Sequence, residues 1–394
     1  MTPAAKPRIL ITLPNLSGGG AERVITYLAK SIDADQFDVQ ILAQEKVGAW
    51  RDELDGLKVD FANDRPYRRI DLLRSLWATI QHARKADLVI GGNEGRATFV
   101  GLLAAKLTGK PFVAWIHNNW MQFKEVVSWR QILSLKSCTN FADRIVVCSG
   151  GAGAGLEQLI GKRPIKVIHN GVPVQTIQEQ AEAPLPTEFE SLFEQPTVVA
   201  VGRLNYQKGY NYLVAAHAEV IRAGIHHNLV IVGQGDLEAE LHQQAVDLGV
   251  EQTVHFVGFH PNPYSFMKRA TVFALSSRFE GFPLVLIEAM ACGAPIVAFD
   301  CPSGPREALE DGKHGILVEY ENVSALAQGI QQILTDKAQQ AHFKQMSLAR
   351  SETFDNSHFA RKWESLFTEV LSQSKRERRS PVPPASPLSK RFEN

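Results

Sequence analysis

Short runs of apolar residues alternate along this chain with longer stretches in which apolar positions recur every three or four residues. The first unit sets the pattern: residues 9–13 read as a strand, 14–20 as a loop, and 21–31 as an amphipathic helix. Further strand-like runs follow at 37–42, 88–90, 112–116, 145–147 and 165–168, with helix-like segments between several of them. After a stretch rich in Glu, Gln and Pro the pattern restarts at 197–201, 228–232, 254–257, 272–275 and 295–298. Alternation of this kind predicts an α/β protein whose parallel sheets carry helices on their faces. Two doubly wound domains are expected, 1–173 and 197–355, joined by a linker at 174–196, with a ligand cleft between the carboxyl ends of their strands. Beyond them, Phe359, Trp363, Leu366, Phe367 and Val370 mark an amphipathic helix over 356–374. The Lys-, Arg- and Pro-rich residues 375–394 are expected to be a disordered basic tail.

The length of 394 residues suits two domains, because a single core stops growing at roughly 250 to 300 residues. Net charge is zero but unevenly placed: residues 1–180 hold 23 Lys and Arg against 17 Asp and Glu, and residues 181–374 hold 13 against 23. A basic front half points to an anionic surface or a phosphorylated acceptor as partner, or is unselected surface charge. No nucleic-acid partner is expected. Cys138, Cys148, Cys292 and Cys301 match neither a zinc pattern nor a disulfide framework, so they read as buried thiols of a cytoplasmic protein. With neither a leader-like run nor a span of about 18 apolar residues, any membrane contact is expected to be peripheral.

The chemistry concentrates in Arg278-Phe-Glu280-Gly281-Phe282-Pro283-Leu284 and the helix beyond it, which carries Glu288. Pro283 suits a first helical turn, so a helix is predicted over 283–292 whose unpaired N–H groups face the loop and attract an anion. A diphosphate at those amides would have Glu280 at its edge and Glu288 about 7 to 8 Å along the helix from Pro283. Gly202-Arg203 and Lys208 follow a strand, where an arginine fork and a lysine point charge suit phosphate oxygens. Taken alone, such cations are more often solvated. Ser17-Gly18-Gly19-Gly20 joins the first strand to the first helix and lets backbone approach a ligand, although it fails as a dinucleotide fingerprint. His117 ends an apolar strand and reads as a neutral hydrogen-bond partner for sugar or phosphate, or as a structural histidine. Gly155 to Lys162 misses the P-loop spacing, and Asp33-Ala-Asp35 reads as a turn, so no metal site is expected. Aromatic residues mixed with cations over 120–136 and 65–85 suit a lipid interface or an ordinary core-facing helix.

Together these residues resemble glycosyltransferase family 4, retaining enzymes of the two-Rossmann-domain GT-B architecture. The matching elements are Gly18-Gly19-Gly20-Ala21-Glu22, His117, Asn170-Gly171-Val172, Gly202-Arg203 with Lys208-Gly209, the E-x7-E pair Glu280 and Glu288, Asp311-Gly312, and the run from Gly315 to Val318. The resemblance implies that Arg203 and Lys208 bind a donor diphosphate, with Gly19, Gly20, Gly281, Phe282, Pro283 and Leu284 approaching the donor. It implies that Glu280 contacts the donor sugar, that Glu288 contacts the ribose, that His117 lies near the sugar, and that the backbone near Gly258 and Phe259 meets the base. It further implies that the C-terminal helix crosses back to the first domain. Cys301 to Glu307 resembles a loop in members that use UDP-hexose or UDP-N-acetylhexosamine in polysaccharide or lipid-linked oligosaccharide assembly. The expected activity is then transfer of such a sugar to a glycan or lipid-linked acceptor at the inner face of the cytoplasmic membrane. The nucleotide sugar is a co-substrate, and no cofactor or metal is expected. A nucleotide-sugar epimerase of similar architecture and a non-catalytic scaffold binding nucleotide sugar or membrane stay open as alternatives.

Overall fold

The computed structural model describes residues 5–16, 19–47, 54–66, 71–123 and 128–379. The first lobe is built on β1 (Arg8–Leu13), β2 (Asp38–Ala43), β3 (Lys58–Phe61), β4 (Leu88–Gly91), β5 (Phe112–Ile116), β6 (Arg144–Val147) and β7 (Ile165–Val167). The second uses β8 (Thr197–Val201), β9 (Asn228–Val232), β10 (Val254–Gly258), β11 (Val272–Leu275), β12 (Ile296–Phe299) and β13 (Ile316–Val318). Helices of the first lobe are α1 (Gly20–Ser31), α2 (Leu72–Lys85), α3 (Arg96–Thr108), α4 (Trp120–Phe123), α5 (Trp129–Phe141) and α6 (Gly150–Ile160). α7 (Val174–Ala181) and α8 (Thr187–Glu190) join the lobes. The rest are α9 (Tyr210–Arg222), α10 (Glu238–Asp247), α11 (Tyr264–Arg269), α12 (Leu284–Ala291), α13 (Pro305–Ala308), α14 (Val323–Thr335), α15 (Lys337–Glu352) and α16 (Asn356–Arg379).

Every pairing in both sheets is parallel, in the orders β3-β2-β1-β4-β5-β6-β7 and β10-β9-β8-β11-β12-β13. Strand order reverses between β1 and β4 in one sheet and between β8 and β11 in the other, and crevices form outside the carboxyl ends at such points. The central strands are buried throughout, β5 and β12 on every residue, which is why they read as continuous apolar runs. The strands missed by pattern are edge strands: β3 alternates Lys58 and Asp60 with Val59 and Phe61, and β13 has three residues.

The segment 174–196, expected as a polar linker, contains helices α7 and α8: Val174, Ile177 and Ala181 are buried, and α7 packs on α11 and α12. Their i, i+3, i+7 spacing supplies one apolar face that the surrounding glutamines disguise. The helix after Phe282 is Leu284–Ala291, with Pro283 as its extended N-cap. The C-terminal helix runs through residues 375–379, which were expected in the tail; 380–394 lie outside the described residues. α16 seals the first lobe, with Phe359, Trp363, Leu366, Phe367 and Val370 all at 3% exposure or less. Trp363 packs on Trp115 of β5 at 4.3 Å between centroids, and Phe367 meets Phe37 edge-on at 5.4 Å. Burying each such side chain contributes about 1.5 to 3 kcal/mol.

Candidate active site between the lobes

In the second lobe, the chain leaves β8 through Gly202 and Arg203, whose side chain is exposed, into a tight turn at Tyr206–Lys208. The turn forms because Asn205 accepts from the Lys208 N–H at 3.3 Å and Gly209 takes a left-handed conformation (φ 60°). A Cβ at Gly209 would also collide with the Ser276 carbonyl, so glycine is required twice over. Lys208 Nζ thereby reaches Glu280 Oε1 at 2.7 Å, and Ser277 Oγ donates to the same oxygen at 2.7 Å. Glu280 is 7% exposed. Lys208 follows β8 and Glu280 follows β11, so the ion pair sits at the crevice where that sheet's order reverses.

The backbone after Glu280 is gripped from both lobes. Ser303 Oγ donates to the Glu280 carbonyl, and Ser149 Oγ, from the first lobe, donates to the Gly281 carbonyl at 2.6 Å. The His117 carbonyl lies so close to Gly281 that no Cβ would fit. α12 then starts with no side chain capping its N–H groups. Phe282 is buried and stacks on His169 at 4.8 Å, and Leu284 is buried. Gly258 ends β10, its carbonyl accepting from the Gly233 N–H at 2.7 Å, and Phe259 beside it is 61% exposed.

In the first lobe, Gly19 caps α1 and exposed Gly20 opens it; a Cβ on Gly20 would sit 3.6 Å from Leu284 Cδ1 of the opposite lobe. Ser17 and Gly18 lie outside the described residues. Glu22 is 8% exposed and accepts from Asn93 at 3.2 Å. Burial pushes its carboxyl upward against the opposing pull of its own N–H, Asn93 and Arg203. His117, 8% exposed, packs its ring at a tilt on Trp115, and burial holds its pKa below the usual histidine range. The ring is therefore neutral near pH 7, and since Nε2 lies 2.9 Å from the Gly92 carbonyl, which can only accept, Nε2 carries the proton. Nδ1 is left as a buried lone pair without a partner among the described residues.

Glu288 is placed differently from the other candidates. It is 1% exposed and forms an ion pair with Arg23 of α1 at 2.5 Å, so its carboxylate faces the opposite lobe rather than open cleft. Arg23 was not singled out by motif reasoning, nor was Glu94, which accepts from the N–H groups of His117 and Asn118 at 2.6 and 2.8 Å and orients that loop. Glu307, named only as the end of the Cys301 to Glu307 loop, was given no role: it accepts from Gly150 and Gly151 N–H groups at 2.9 Å each and bonds His169 at 3.0 Å, tying α13 to the start of α6. Glu94 follows strand β4 at a switch point, a position that could have revealed it. Arg23 and Glu307 gave no such signal, since their partners come from the other lobe. The four cysteines are buried with thiols pushed up, Cys138 to about 12, which excludes them as nucleophiles. Among the described residues no cluster of three or more His, Cys, Asp or Glu could hold a metal ion.

Comparison with known proteins adds independent findings. The family model for Glycosyltransferase Family 4 matches residues 18–176, and that for Glycosyl transferases group 1 matches residues 187–349. The chain is 28% identical, over 89% of its length and 96% of the relative's, to the N-acetylgalactosamine-N,N'-diacetylbacillosaminyl-diphospho-undecaprenol 4-alpha-N-acetylgalactosaminyltransferase of Campylobacter jejuni. It is 26% identical, over 91% and 99%, to the amylovoran biosynthesis glycosyltransferase AmsD of Erwinia amylovora. Among solved structures, Anabaena HepE in complex with UDP and glucose superimposes with a TM-score of 0.79 at 24% identity, covering 92% of this chain and 100% of that one. The sucrose-phosphate synthase of Thermosynechococcus elongatus gives 0.74 at 21%, covering 94% and 100%.

Proposed function

The chain belongs to glycosyltransferase family 4 and is a glycosyltransferase of GT-B fold, and we propose that it moves a hexose or N-acetylhexosamine, with retention, from a UDP-linked donor to a glycan or lipid-linked saccharide. The observation that carries this is the ion pair of Lys208 with buried Glu280 at the crevice, beside the uncapped start of α12 and next to Gly281, which the His117 carbonyl approaches from the other lobe. Breaking the anomeric C–O bond builds positive charge on the sugar and negative charge on the leaving diphosphate. Arg203, Lys208 and the α12 amides neutralise the diphosphate, and Glu280 steadies the sugar, with no metal or cofactor invoked. The acceptor oxygen bonds to the anomeric carbon on the face the diphosphate leaves, and its proton passes to the departing phosphate oxygen. His117 Nδ1 can accept a hydrogen bond but not donate one, so it suits a sugar hydroxyl rather than phosphate. A UDP donor is supported by HepE, solved with UDP, and a lipid-linked acceptor by the C. jejuni relative, whose name includes diphospho-undecaprenol.

The acceptor side supports docking on the inner face of the cytoplasmic membrane. α2, α3 and α5 lie side by side, contain no Asp or Glu, and expose Leu73, Trp77, Leu107, Trp129, Leu133 and Phe141 among Arg74, Lys106 and Arg130. Residues 67–70 and 124–127 of the two aromatic-basic stretches lie outside the described residues. Among the described residues no helix is long and apolar enough to cross a membrane. Thermal stabilisation by UDP over GDP and ADP, followed by transfer assays with UDP-hexoses and lipid-linked acceptors, tests the donor and acceptor. Donor turnover without acceptor would point to an epimerase, and absence of any turnover to a scaffold. Co-sedimentation with anionic vesicles, lost in Trp77→Ser and Trp129→Ser, tests the membrane face.

A further inference from the structure

We infer that Arg23 is a positioning residue that sets how closely the two lobes shut on the donor, acting through Glu288. Arg23 stands one turn into α1, just behind the Gly19-Gly20 end, and Glu288 stands one turn into α12, behind the uncapped Leu284 end. Both amino ends face the cleft, and Gly20 and Leu284 nearly touch across it. The 2.5 Å ion pair therefore fixes the separation of two helix amino ends, the pair of amide clusters between which a diphosphate would lie. Tyr27 of α1 and Tyr264 of α11 complete the joint, with hydroxyls 2.8 and 2.7 Å from the Arg23 guanidinium. The Glu288 and Arg23 side chains are 2% and 18% exposed. Burial alone would lower the Arg23 pKa, but Glu288 and the two tyrosines outweigh it and hold the guanidinium firmly charged.

Location separates this joint from the other contacts between the lobes. His117, Ser149 to Gly151 and His169 follow β5, β6 and β7, on one flank of the first sheet, and meet Gly281, Ser303 and Glu307. Arg23 follows β1, at the sheet's middle, so its loss leaves the flank contacts intact while freeing the glycine-loop side to swing open. Without Arg23 the closed form would bury the Glu288 carboxylate with no cation, so closing becomes costlier once Arg23 is removed. Donor affinity scales with the closed fraction, so a variant closed one-tenth of the time binds donor about tenfold more weakly.

This role rests on the donor site proposed above, and the test keeps the two apart. Small-angle scattering of the full chain without ligand should give a larger radius of gyration for Arg23→Met than for the native protein, and saturating UDP should restore the native value. In steady-state kinetics Arg23→Met should raise the donor KM about tenfold with kcat changed less than about threefold, since bound donor itself bridges the lobes at saturation. Arg23→Lys, which keeps the charge but not the fork, should fall between. A purely structural role would lower the melting temperature and leave the KM alone. A folded Arg23→Met or Arg23→Lys protein with native radius and native donor KM overturns the inference. If the native protein binds no UDP yet Arg23→Met still expands, the joint stands and the donor assignment falls.

Discussion

The two lobes share one architecture but present opposite kinds of surface to the cleft. In the second lobe the charged groups at the strand ends already hold one another: Lys208 on Glu280, Ser277 on the same oxygen, Ser276 on the Lys208 carbonyl. In the first lobe the corresponding strand ends offer a glycine loop, a carboxylate at Glu22 pushed up by burial, and a neutral histidine with one ring nitrogen unsatisfied. The overall charge runs the other way, since the first half of the chain carries the excess of cations and the second the excess of carboxylates. A preformed charged half suits a donor whose diphosphate is the same in every turnover, whereas a half with small residues and unfilled hydrogen bonds suits hydroxyl-bearing sugars. The lesson is that electrostatic precision sits where charge develops and conformational room where the acceptor arrives.

The largest effect should come from the second lobe. Lys208→Ala, Glu280→Ala and Arg203→Ala are each expected to reduce transfer about 100- to 1000-fold, the usual cost of deleting one preorganised electrostatic group. Lys208→Ala also leaves the buried Glu280 carboxylate without its cation, held by the Ser277 hydroxyl, so a double-variant cycle on kcat should show strong non-additivity between positions 208 and 280. His117→Ala should cost less, about tenfold, because toward the sugar it removes one hydrogen-bond acceptor and no charge. Equal losses from both lobes would erase the distinction.

Much of this was legible in the chain itself, for reasons that also explain the gaps. Strands β1, β4, β5, β8, β11 and β12 lie inside their sheets and are written as mostly apolar runs, so their carboxyl ends, and with them His117, Arg203, Lys208 and Glu280, could be placed from pattern alone. Edge strand β3 and the helix α7 were lost because half-buried elements mix polar with apolar residues. The contacts of Glu288 were out of reach for a different cause. Its partner Arg23 is 265 positions away and belongs to the other lobe, and no local spacing encodes how two separate sheets face each other.

A middle-sized effect separates site from scaffold by pH. His217 and His227 of the second lobe are buried away from the cleft, bonded to each other at 2.8 Å, and burial holds both below the usual range, His217 at about 3. Unfolded, each would titrate near 6.5, so above that pH both states are neutral and nothing is lost. As pH falls below about 6.5 the unfolded chain takes up protons that the folded protein refuses, and stability drops by about 1.4 kcal/mol per unit for each such histidine until the folded pKa is reached. His217→Gln should flatten the decline in urea stability between pH 7 and pH 5 while leaving transfer at pH 7 within about twofold. An unchanged slope would mean that other groups dominate the acid sensitivity.

The smallest effect bears most directly on the contrast. Gly20→Ala introduces a methyl 3.6 Å from Leu284 Cδ1, an ordinary contact, at a helical position where alanine is favoured over glycine by up to about 1 kcal/mol. Stability should therefore hold or rise slightly. If the loop's backbone lies against the donor diphosphate, the same methyl intrudes on the ligand, and the donor KM should rise about three- to tenfold with kcat little changed. Gly281→Ala is the control on the opposite lobe: its methyl meets the His117 carbonyl directly, so the lobes must part and both stability and turnover should fall. A Gly20→Ala enzyme with native donor KM would show that the glycine loop never touches the donor, leaving His117 as the first lobe's contribution to the sugar and the second lobe as the sole holder of the diphosphate.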